Sequence, residues 1–278
     1  MRPELESALQ EIKTGTPEGV EKALGFLQQT VFSFSLKTCG HREDAEDTAQ
    51  ETLARTVPQL GKFDSPQALS VWLYKVARSR CLMSRRRSKF APKQHLSLDE
   101  VLPDRAELAS RLASGEPGPE QHLLRKESAG ELQRALLRIP PGYRQVLVLH
   151  DMEELTAREV AHITGLREGT VRVCLHRARA YLRNELAVRP RRRRKPARRA
   201  PACKTLCAAL SDYLDRQIDP QLCAKLEAHL DACAPCQAYL ASLEETVRRC
   251  RRHCTPTLKR KIRSDFRQMV AQALAARK

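Results

Sequence analysis

Several features that define common protein classes are scarce or absent in this sequence of 278 residues. Aromatic residues make up only 4% of the chain and glycines number eleven, which disfavours a β-sandwich and favours helices. No apolar run approaches the roughly 18 residues that a membrane-spanning helix needs, and the N-terminal segment is amphipathic rather than signal-like. Neither a Ser/His/Asp set nor a phosphate-binding glycine loop is found. We therefore predict a cytoplasmic, all-α protein that is not an enzyme and does not act at a membrane.

Positive charge, in contrast, is abundant. The chain has 50 Lys and Arg against 33 Asp and Glu, a net charge of +17, and a surplus of this size indicates a polyanionic partner. The surplus is unevenly distributed: residues 1–188 hold 28 basic and 25 acidic side chains, while 189–199 contribute +8 and 255–278 contribute +6. Recognition of nucleic acid by the first two thirds of the chain would therefore depend on local placement of cations.

Composition changes along the chain divide it into six segments. Helical periodicity occurs in two stretches, a Pro- and Gly-containing stretch of weak periodicity separates them, and an Arg/Pro tract that cannot form a core follows. The predicted segments are a first helical domain (18–90), a flexible linker (91–126), a second helical domain (127–187), a tether (188–202), a cysteine-rich domain (203–254) and a basic amphipathic tail (255–278).

The first helical domain carries two candidate surfaces. A helix over residues 44–57 has one apolar face, and its other face suits a basic protein partner, with a solvated face as the alternative. This polar face contains Asp44, Glu46, Asp47, Gln50 and Glu51. Further along, aromatic residues precede a basic helix, as single-stranded DNA binding requires, because unpaired bases stack on π faces and cations follow phosphates. The candidates are Trp72, Tyr74, Arg78, Arg80, Arg85, Arg86 and Arg87, although a lone tryptophan such as Trp72 is more often a core residue.

The second helical domain carries a helix-turn-helix pattern. Thr156 and Glu159 form a capping box for one helix, and Gly165 ends it. A second helix begins near residue 168, and its cationic residues recur at i, i+4, i+7 and i+11, which places them on one exposed face. Two helices joined by a short glycine turn predict a reader of the DNA major groove. The candidate DNA contacts are Thr170, Arg172, His176, Arg179 and Arg183.

Seven of the ten cysteines fall within 203–254. Because nothing indicates export, we expect these thiols to bind metal rather than form disulfides. His229, Cys233 and Cys236 have the spacing of metal ligands, and Cys203 or Cys207 could supply the fourth. Further candidate ligands, with incidental thiols as the alternative, are Cys207, Cys223, Cys250, His253 and Cys254, the last three dense enough for a second soft-metal site. Thiolates favour zinc, copper and cadmium without distinguishing them. The remaining cysteines, Cys39, Cys81 and Cys174, are expected to be small buried hydrophobes.

The two helical domains resemble known protein regions. GHREDAEDTAQETL and FDSPQALSVWLYKVARSRCLMSRRR resemble the second conserved region of extracytoplasmic-function (ECF) sigma factors, and IPPGYRQVLVLHDMEELTAREVAHITGLREGTVRVCLHRARAYL resembles their fourth region. The resemblance implies that the acidic helix docks on the β′ clamp helices of RNA polymerase and that the aromatic and basic segment captures the −10 element. It also implies that the second domain sits on the β flap and reads the −35 element. The chain departs from the family at Arg167, where Ser or Pro is frequent.

The cysteine-rich segment resembles the zinc-binding anti-sigma module. Aligned on Tyr213-Leu214-Asp215, the family's first ligand falls on Cys203, which implies a Cys203, His229, Cys233 and Cys236 site. Fused to an ECF sigma factor, the segment is similar to the metal-responsive CorE-type group, which implies a sigma factor controlled by copper, cadmium or zinc. Two alternatives remain: a stand-alone helix-turn-helix regulator with a zinc-stabilised dimerisation domain, and a sigma factor whose metal is purely structural.

Overall fold

The computed structural model of the chain describes residues 3–14, 16–87, 121–186, 201–253 and 258. Its secondary structure in these ranges is helical and includes no strand, which confirms the all-α prediction. The helices are α1 (Pro3–Thr14), α2 (Pro17–Cys39), α3 (Arg42–Thr56), a 3₁₀ helix (Val57–Lys62), α4 (Pro66–Arg87), α5 (Gln121–Arg138), α6 (Pro141–Leu147), a π-helix (Val148–Met152), α7 (Ala157–Thr164), α8 (Glu168–Leu186), α9 (Pro201–Leu214), α10 (Pro220–Ala232) and α11 (Ala234–Arg251). None of these helices has the length and apolar character needed to cross a bilayer.

The segments predicted as linker, tether and tail fall almost entirely outside the described residues. Only the ends differ from the prediction: α5 begins at Gln121, so residues 121–126 are helical rather than linker, and α9 begins at Pro201. Of the predicted tail, the structure describes Leu258, whose backbone N–H donates to Gln29 Oε1 at 2.8 Å.

The contacts divide the chain into two compact units. The first unit comprises the described residues within Met1–Lys93, Val148–Leu166 and Cys254–Lys278, and the second comprises the described residues within Gln94–Leu147 and Arg167–His253.

The core of the first unit lies between α2, α3 and α4. Thr16 caps the start of α2 by accepting the Gly19 N–H, and Gly40 ends that helix with a φ of 85°, a left-handed conformation that glycine adopts without strain. The predicted apolar face of α3 is confirmed, because its members have no solvent exposure. They are Ala45, Ala49, Leu53 and Val57.

The same unit contains the π-helix and α7, whose ends follow the sequence signals. Thr156 accepts the Glu159 N–H, and the Glu159 carboxylate accepts the Thr156 N–H at 2.8 Å, so the capping box is confirmed. Gly165 ends α7 with a φ of 73°, as its position predicted.

The second unit has two packed regions. In the first region α5, α6 and α8 bury aliphatic side chains, and the fully buried Arg144 guanidinium donates to the carbonyls of Leu137 and Ile139 at 2.8 and 2.9 Å. In the second region α9, α10 and α11 enclose a small cluster centred on Leu210, Leu226, Tyr239 and Leu243. Asp219 caps the start of α10 by accepting two backbone N–H groups.

Candidate DNA-binding and metal-binding sites

Four metal-ligand side chains converge where α9, α10 and α11 meet. One donor atom from each lies within 4.8 Å of the others, and the four residues are Cys203, His229, Cys233 and Cys236. His229 Nε2 lies 3.6 Å from Cys203 Sγ and 3.3 Å from Cys236 Sγ. The convergence follows from the local fold, because the chain turns sharply between α10 and α11 at Cys233.

This donor set suits a thiophilic divalent ion. Three thiols and one imidazole form one of the standard ligand sets of tetrahedral structural zinc. Burial, followed by the neighbouring thiols Cys207, Cys233 and Cys203, raises the pKa of the Cys236 thiol above its usual range. Several thiolates at this distance would repel one another, so a cation between them would satisfy their charge. The residues present therefore fit zinc.

The other candidate thiols occupy different surroundings. Cys207, one helical turn after Cys203, is buried within the apolar cluster of α9–α11. Cys223 Sγ lies 3.5 Å from the Glu227 carboxylate, and Cys250 is buried near the end of α11. In the part of the chain that the structure describes, these thiols form no further group of three or more ligands. Cys254 lies outside the described residues, so the structure describes only Cys250 and His253 of the predicted second site.

The predicted DNA-reading face of α8 is not exposed, contrary to the sequence expectation. Thr170 is exposed and Arg172 is partly exposed, where it pairs with Glu168 at 2.6 Å. The rest of the stripe is buried, with relative exposures of 7% for His176, 0% for Arg179 and 6% for Arg183. The reason is that α9 and α11 supply hydrogen-bonding partners for the two buried arginines on this face.

Arg179 is held by α9 and the residue that follows it. Its guanidinium donates to both oxygens of Asp215 at 2.8 and 2.9 Å, in the bidentate geometry that arginine forms with carboxylate or phosphate. It also donates to Ser211 Oγ at 2.8 Å. A charge buried without such partners would be strongly destabilising, so Ser211 and Asp215 fix the docked position of Arg179.

Arg183 is held by α11. Its Nε donates to Ser242 Oγ at 2.5 Å, and its guanidinium lies 4.8 Å from the centroid of the Tyr239 ring, a cation–π arrangement. Contacts between α11 and α5 in the same unit include the Arg249–Glu131 ion pair at 2.9 Å.

His176 is neutral at physiological pH. Desolvation by burial, with smaller contributions from Arg179 and Arg177, lowers its pKa from 6.5 to about 4. In the folded chain this imidazole therefore adds no charge to the predicted DNA-reading stripe.

The predicted polymerase-binding face of α3 is accessible in part. Asp47 is exposed, and the other members, Asp44, Glu46, Gln50 and Glu51, are partly exposed. Two carboxylates are already paired: Glu46 with Arg42 at 2.9 Å, and Glu51 with both Arg55 and Arg80. Arg80, predicted to contact DNA, is therefore engaged by a residue predicted to contact polymerase.

The aromatic pair of α4 separates into one exposed and one buried residue. Trp72 is 37% exposed and packs beside Phe63, with ring centroids 6.0 Å apart. Tyr74 is 1% exposed, so its ring is not accessible to a base in this conformation, and its contact with DNA stays a prediction. Its ring packs edge-on against Phe34, and its hydroxyl donates to Glu153 Oε2 at 2.6 Å.

The basic residues of α4 differ in how far they are described. Arg78 is partly buried, and this burial lowers its pKa from the usual value. Arg85, Arg86 and Arg87 lie in the last turn of α4, and their side chains are outside the described part.

The residues that hold the arginines of α8 were missed at the sequence level. Ser211 and Asp215 continue the four-residue spacing of Cys203 and Cys207 along α9 and its end, which was the available signal. Ser242 has no comparable sequence signal, because a single serine in the middle of a helix does not indicate which side chain it contacts.

Three family models match the chain. Sigma-70 region 2 matches residues 27–90, sigma-70 region 4 matches 129–182, and a zinc-finger family matches 203–237. The two sigma models follow the order of the two predicted helical domains, and the third covers the four converging metal-ligand residues.

Curated relatives agree with the sigma models. The chain is 25% identical to the ECF RNA polymerase sigma factor SigW of Bacillus subtilis over 66% of this chain and 96% of SigW. It is 32% identical to SigE of Mycolicibacterium smegmatis over 56% of this chain and 57% of SigE. It is 33% identical to SigM of Mycobacterium tuberculosis over 50% of this chain and 63% of SigM.

The class that the fold and these matches define is the sigma-70-type sigma factors. Within it, these comparisons support an ECF RNA polymerase sigma factor that carries a zinc-finger-like domain after region 4.

Proposed function

We propose that this chain directs RNA polymerase to a set of promoters and that its zinc-finger-like domain withholds the recognition helix according to metal occupancy. As an ECF-type sigma factor it has polymerase core and promoter DNA as its partners. The finer assignments extend this: α3 docks on the β′ clamp helices, α4 contacts the −10 element, and region 4 sits on the β flap and reads the −35 element through α8.

The burial of Arg179 is the observation that supports control by the fused domain. Arginine reads duplex DNA by donating to phosphates and guanine edges, and a guanidinium already paired with Asp215 and Ser211 cannot do so. Arg183, held by Ser242 and Tyr239, is withheld in the same way. The docked and DNA-bound states therefore exclude each other at two residues of one helix.

Helix α9 connects the candidate metal site to this contact. Cys203, Cys207, Ser211 and Asp215 recur every four residues, so they follow one side of the helix and its end. At 1.5 Å per residue, Cys203 and Asp215 are separated by roughly 18 Å along the axis. A bound ion would tie α9 to α10 and α11 through Cys203, His229, Cys233 and Cys236. The position of Asp215 then depends on whether α9 is held at its other end.

Tethering makes such control feasible with weak contacts. The zinc-finger-like domain belongs to the same chain as α8, so its effective concentration at the recognition helix is high and independent of protein dilution. A ligand of that domain shifts the equilibrium only through unequal affinity for the docked and undocked states. Zinc, copper(I) and cadmium are the candidate signals, because thiolate sites accept all three.

The test is in vitro transcription with core polymerase across zinc, copper(I), cadmium and a chelator, comparing the intact chain with one that ends at Leu186. We expect the shorter chain to transcribe under every condition and the intact chain to respond to at least one metal. Promoters are first selected with the shorter chain from genomic fragments. A metal-independent intact chain that is as active as the shorter one would refute control by the fused domain. Failure of both chains to initiate at any promoter would refute the sigma function itself.

The assignment of α3 needs its own test. Charge reversal at Asp44 and Asp47 should abolish retention on immobilised core polymerase, while reversal at the exposed Glu6 of α1 should not. Equal retention of both variants would contradict the proposed docking of α3. A stand-alone helix-turn-helix regulator would show no retention even as the unmodified chain.

A further inference from the structure

A second buried contact occurs within the first unit. Lys37 Nζ on α2 lies 2.8 Å from Glu153 Oε1, and the Tyr74 hydroxyl on α4 donates to Glu153 Oε2 at 2.6 Å. The three side chains are buried, with residue exposures of 2% or less. Both oxygens of one carboxylate therefore join the region 4 segment 148–166 to two helices of region 2.

The same segment lies beside the exposed tryptophan. Trp72, Phe63 and Lys75 form one wall of a groove, and the other wall comes from α7. The residues that line it from α7 and its cap are Thr156, Arg158, Glu159 and His162. Glu153 thus contacts the buried Tyr74 of α4, and α7 lies beside the partly exposed Trp72.

We propose that segment 148–166 is a second inhibitory element of this chain, held on the strand-binding face of region 2 by the Lys37–Glu153–Tyr74 contact. This inference rests on the proposed function, in that α4 is taken to bind the separated promoter strand. The element that packs on region 2 is segment 148–166 of the same chain, and its contacts involve no metal-ligand residue. The −35-reading helix and the −10-reading helix are then masked by different parts of one protein.

The chemistry of the Lys37–Glu153–Tyr74 contact makes docking of the segment reversible. A buried ion pair is costly to desolvate, so its net contribution to docking is small even though each charge needs its partner. Separation of the two surfaces returns Lys37 and Glu153 to water, where both charges are well solvated. Docking of the segment is thus specific in register, yet a competing strand or polymerase surface can displace it.

The test uses Trp72, the only tryptophan of the chain, as the reporter. Glu153→Gln removes the carboxylate and leaves the Lys37 ammonium buried without a counter-charge, so the segment should leave region 2. Acrylamide quenching of Trp72 should then rise about twofold, because 37% of the residue is exposed in the docked state. Binding of a labelled single-stranded DNA pool of random sequence should tighten in parallel.

Two variants control for other effects. Glu154→Gln makes the same chemical change at the exposed neighbouring residue and should leave quenching unchanged. The triple variant Lys37→Met, Glu153→Leu and Tyr74→Phe replaces all three members of the contact by apolar side chains, which commonly preserves packing, and should remain docked. Quenching that is equal in Glu153→Gln and the unmodified chain overturns the proposal, as does a triple variant that opens as far as the single one.

A measurement on the unmodified chain covers the case in which Glu153→Gln does not fold. Hydrogen exchange of residues 148–166 should accelerate at least about tenfold when the single-stranded pool saturates the protein, while α3 amides remain protected. Unchanged protection of the segment at saturation overturns the proposal. If Glu153→Gln opens the segment and strand binding does not tighten, the segment is held by this contact but α4 does not bind the strand, which refutes the proposed role of α4.

Discussion

The Arg179–Asp215 contact yields the sharpest prediction about control by the fused domain. Asp215→Asn preserves the side-chain volume but replaces a charged, two-oxygen acceptor by an amide that can accept at one oxygen only. Arg179 would then stay fully buried with one neutral acceptor in place of a carboxylate. The docked state should lose stability, whereas the undocked state, in which both side chains reach water, should not.

The expected size follows from the burial of the pair. The Arg179 side chain is 0% exposed and that of Asp215 is 11% exposed. Removal of one partner of a buried pair costs about 3–5 kcal/mol, and the lower value applies because Ser211 still accepts from Arg179. A loss of about 3 kcal/mol shifts the docked-to-undocked ratio by roughly 100-fold.

Two assays should report this shift on the zinc-loaded, full-length chain. Hydrogen exchange of the α9 amides should accelerate by up to roughly 100-fold, and affinity for a selected promoter duplex should rise in the same direction. Glu244→Gln, a matched change at an exposed acid on α11, should alter neither quantity. If Asp215→Asn changed both quantities by less than about threefold, Arg179 would not hold the domain in place, and the reasoning from its burial would be refuted.

Two further predictions concern the metal site and pH. Cys203→Ser should lower zinc affinity in competition with a chromogenic chelator, whereas Cys223→Ser should still bind about one zinc per chain with unchanged affinity. The reason is that Cys203, unlike Cys223, lies with the other three donors. Equal zinc affinities of the two variants would show that Cys203 is not a ligand. Burial lowers the pKa of His176 to about 4, so the unfolded state takes up a proton that the folded state does not as pH falls below about 6.5. At pH 5.5 the free energy of unfolding of the second unit should therefore be about 1.4 kcal/mol lower than at pH 7.5. His176→Gln should remove that part of the pH dependence of thermal unfolding. Identical pH profiles for His176→Gln and the unmodified chain would contradict the assigned pKa.

Local signals in the sequence were sufficient to predict the helices but not which elements pack against them. The capping box at Thr156 and the glycine at 165 act through neighbouring backbone groups, so the boundaries of α7 follow from a few adjacent residues. The apolar face of α3 likewise depends only on helical spacing. The burial of Arg179 depends on Asp215, 36 residues later, and no local pattern specifies which helix packs against α8. Tyr74 and Glu153, separated by 79 positions, were unpredictable for the same reason.

The error about the exposed stripe has a chemical origin in the guanidinium group. Arginine recognises phosphate and carboxylate with the same pair of parallel N–H donors, so a helix suited to the DNA backbone is equally suited to an acidic protein surface. Asp215 occupies the position relative to Arg179 that a phosphate would occupy, and it presents both oxygens to the guanidinium. An inhibitory domain built in this way needs no separate binding surface on the sigma regions. Under the proposed function it would compete directly for the groups that bind promoter DNA, so a change that strengthened DNA binding through Arg179 would also strengthen the inhibitory contact. The proposed function therefore assigns release to a change on the other side of the contact, in the position of α9.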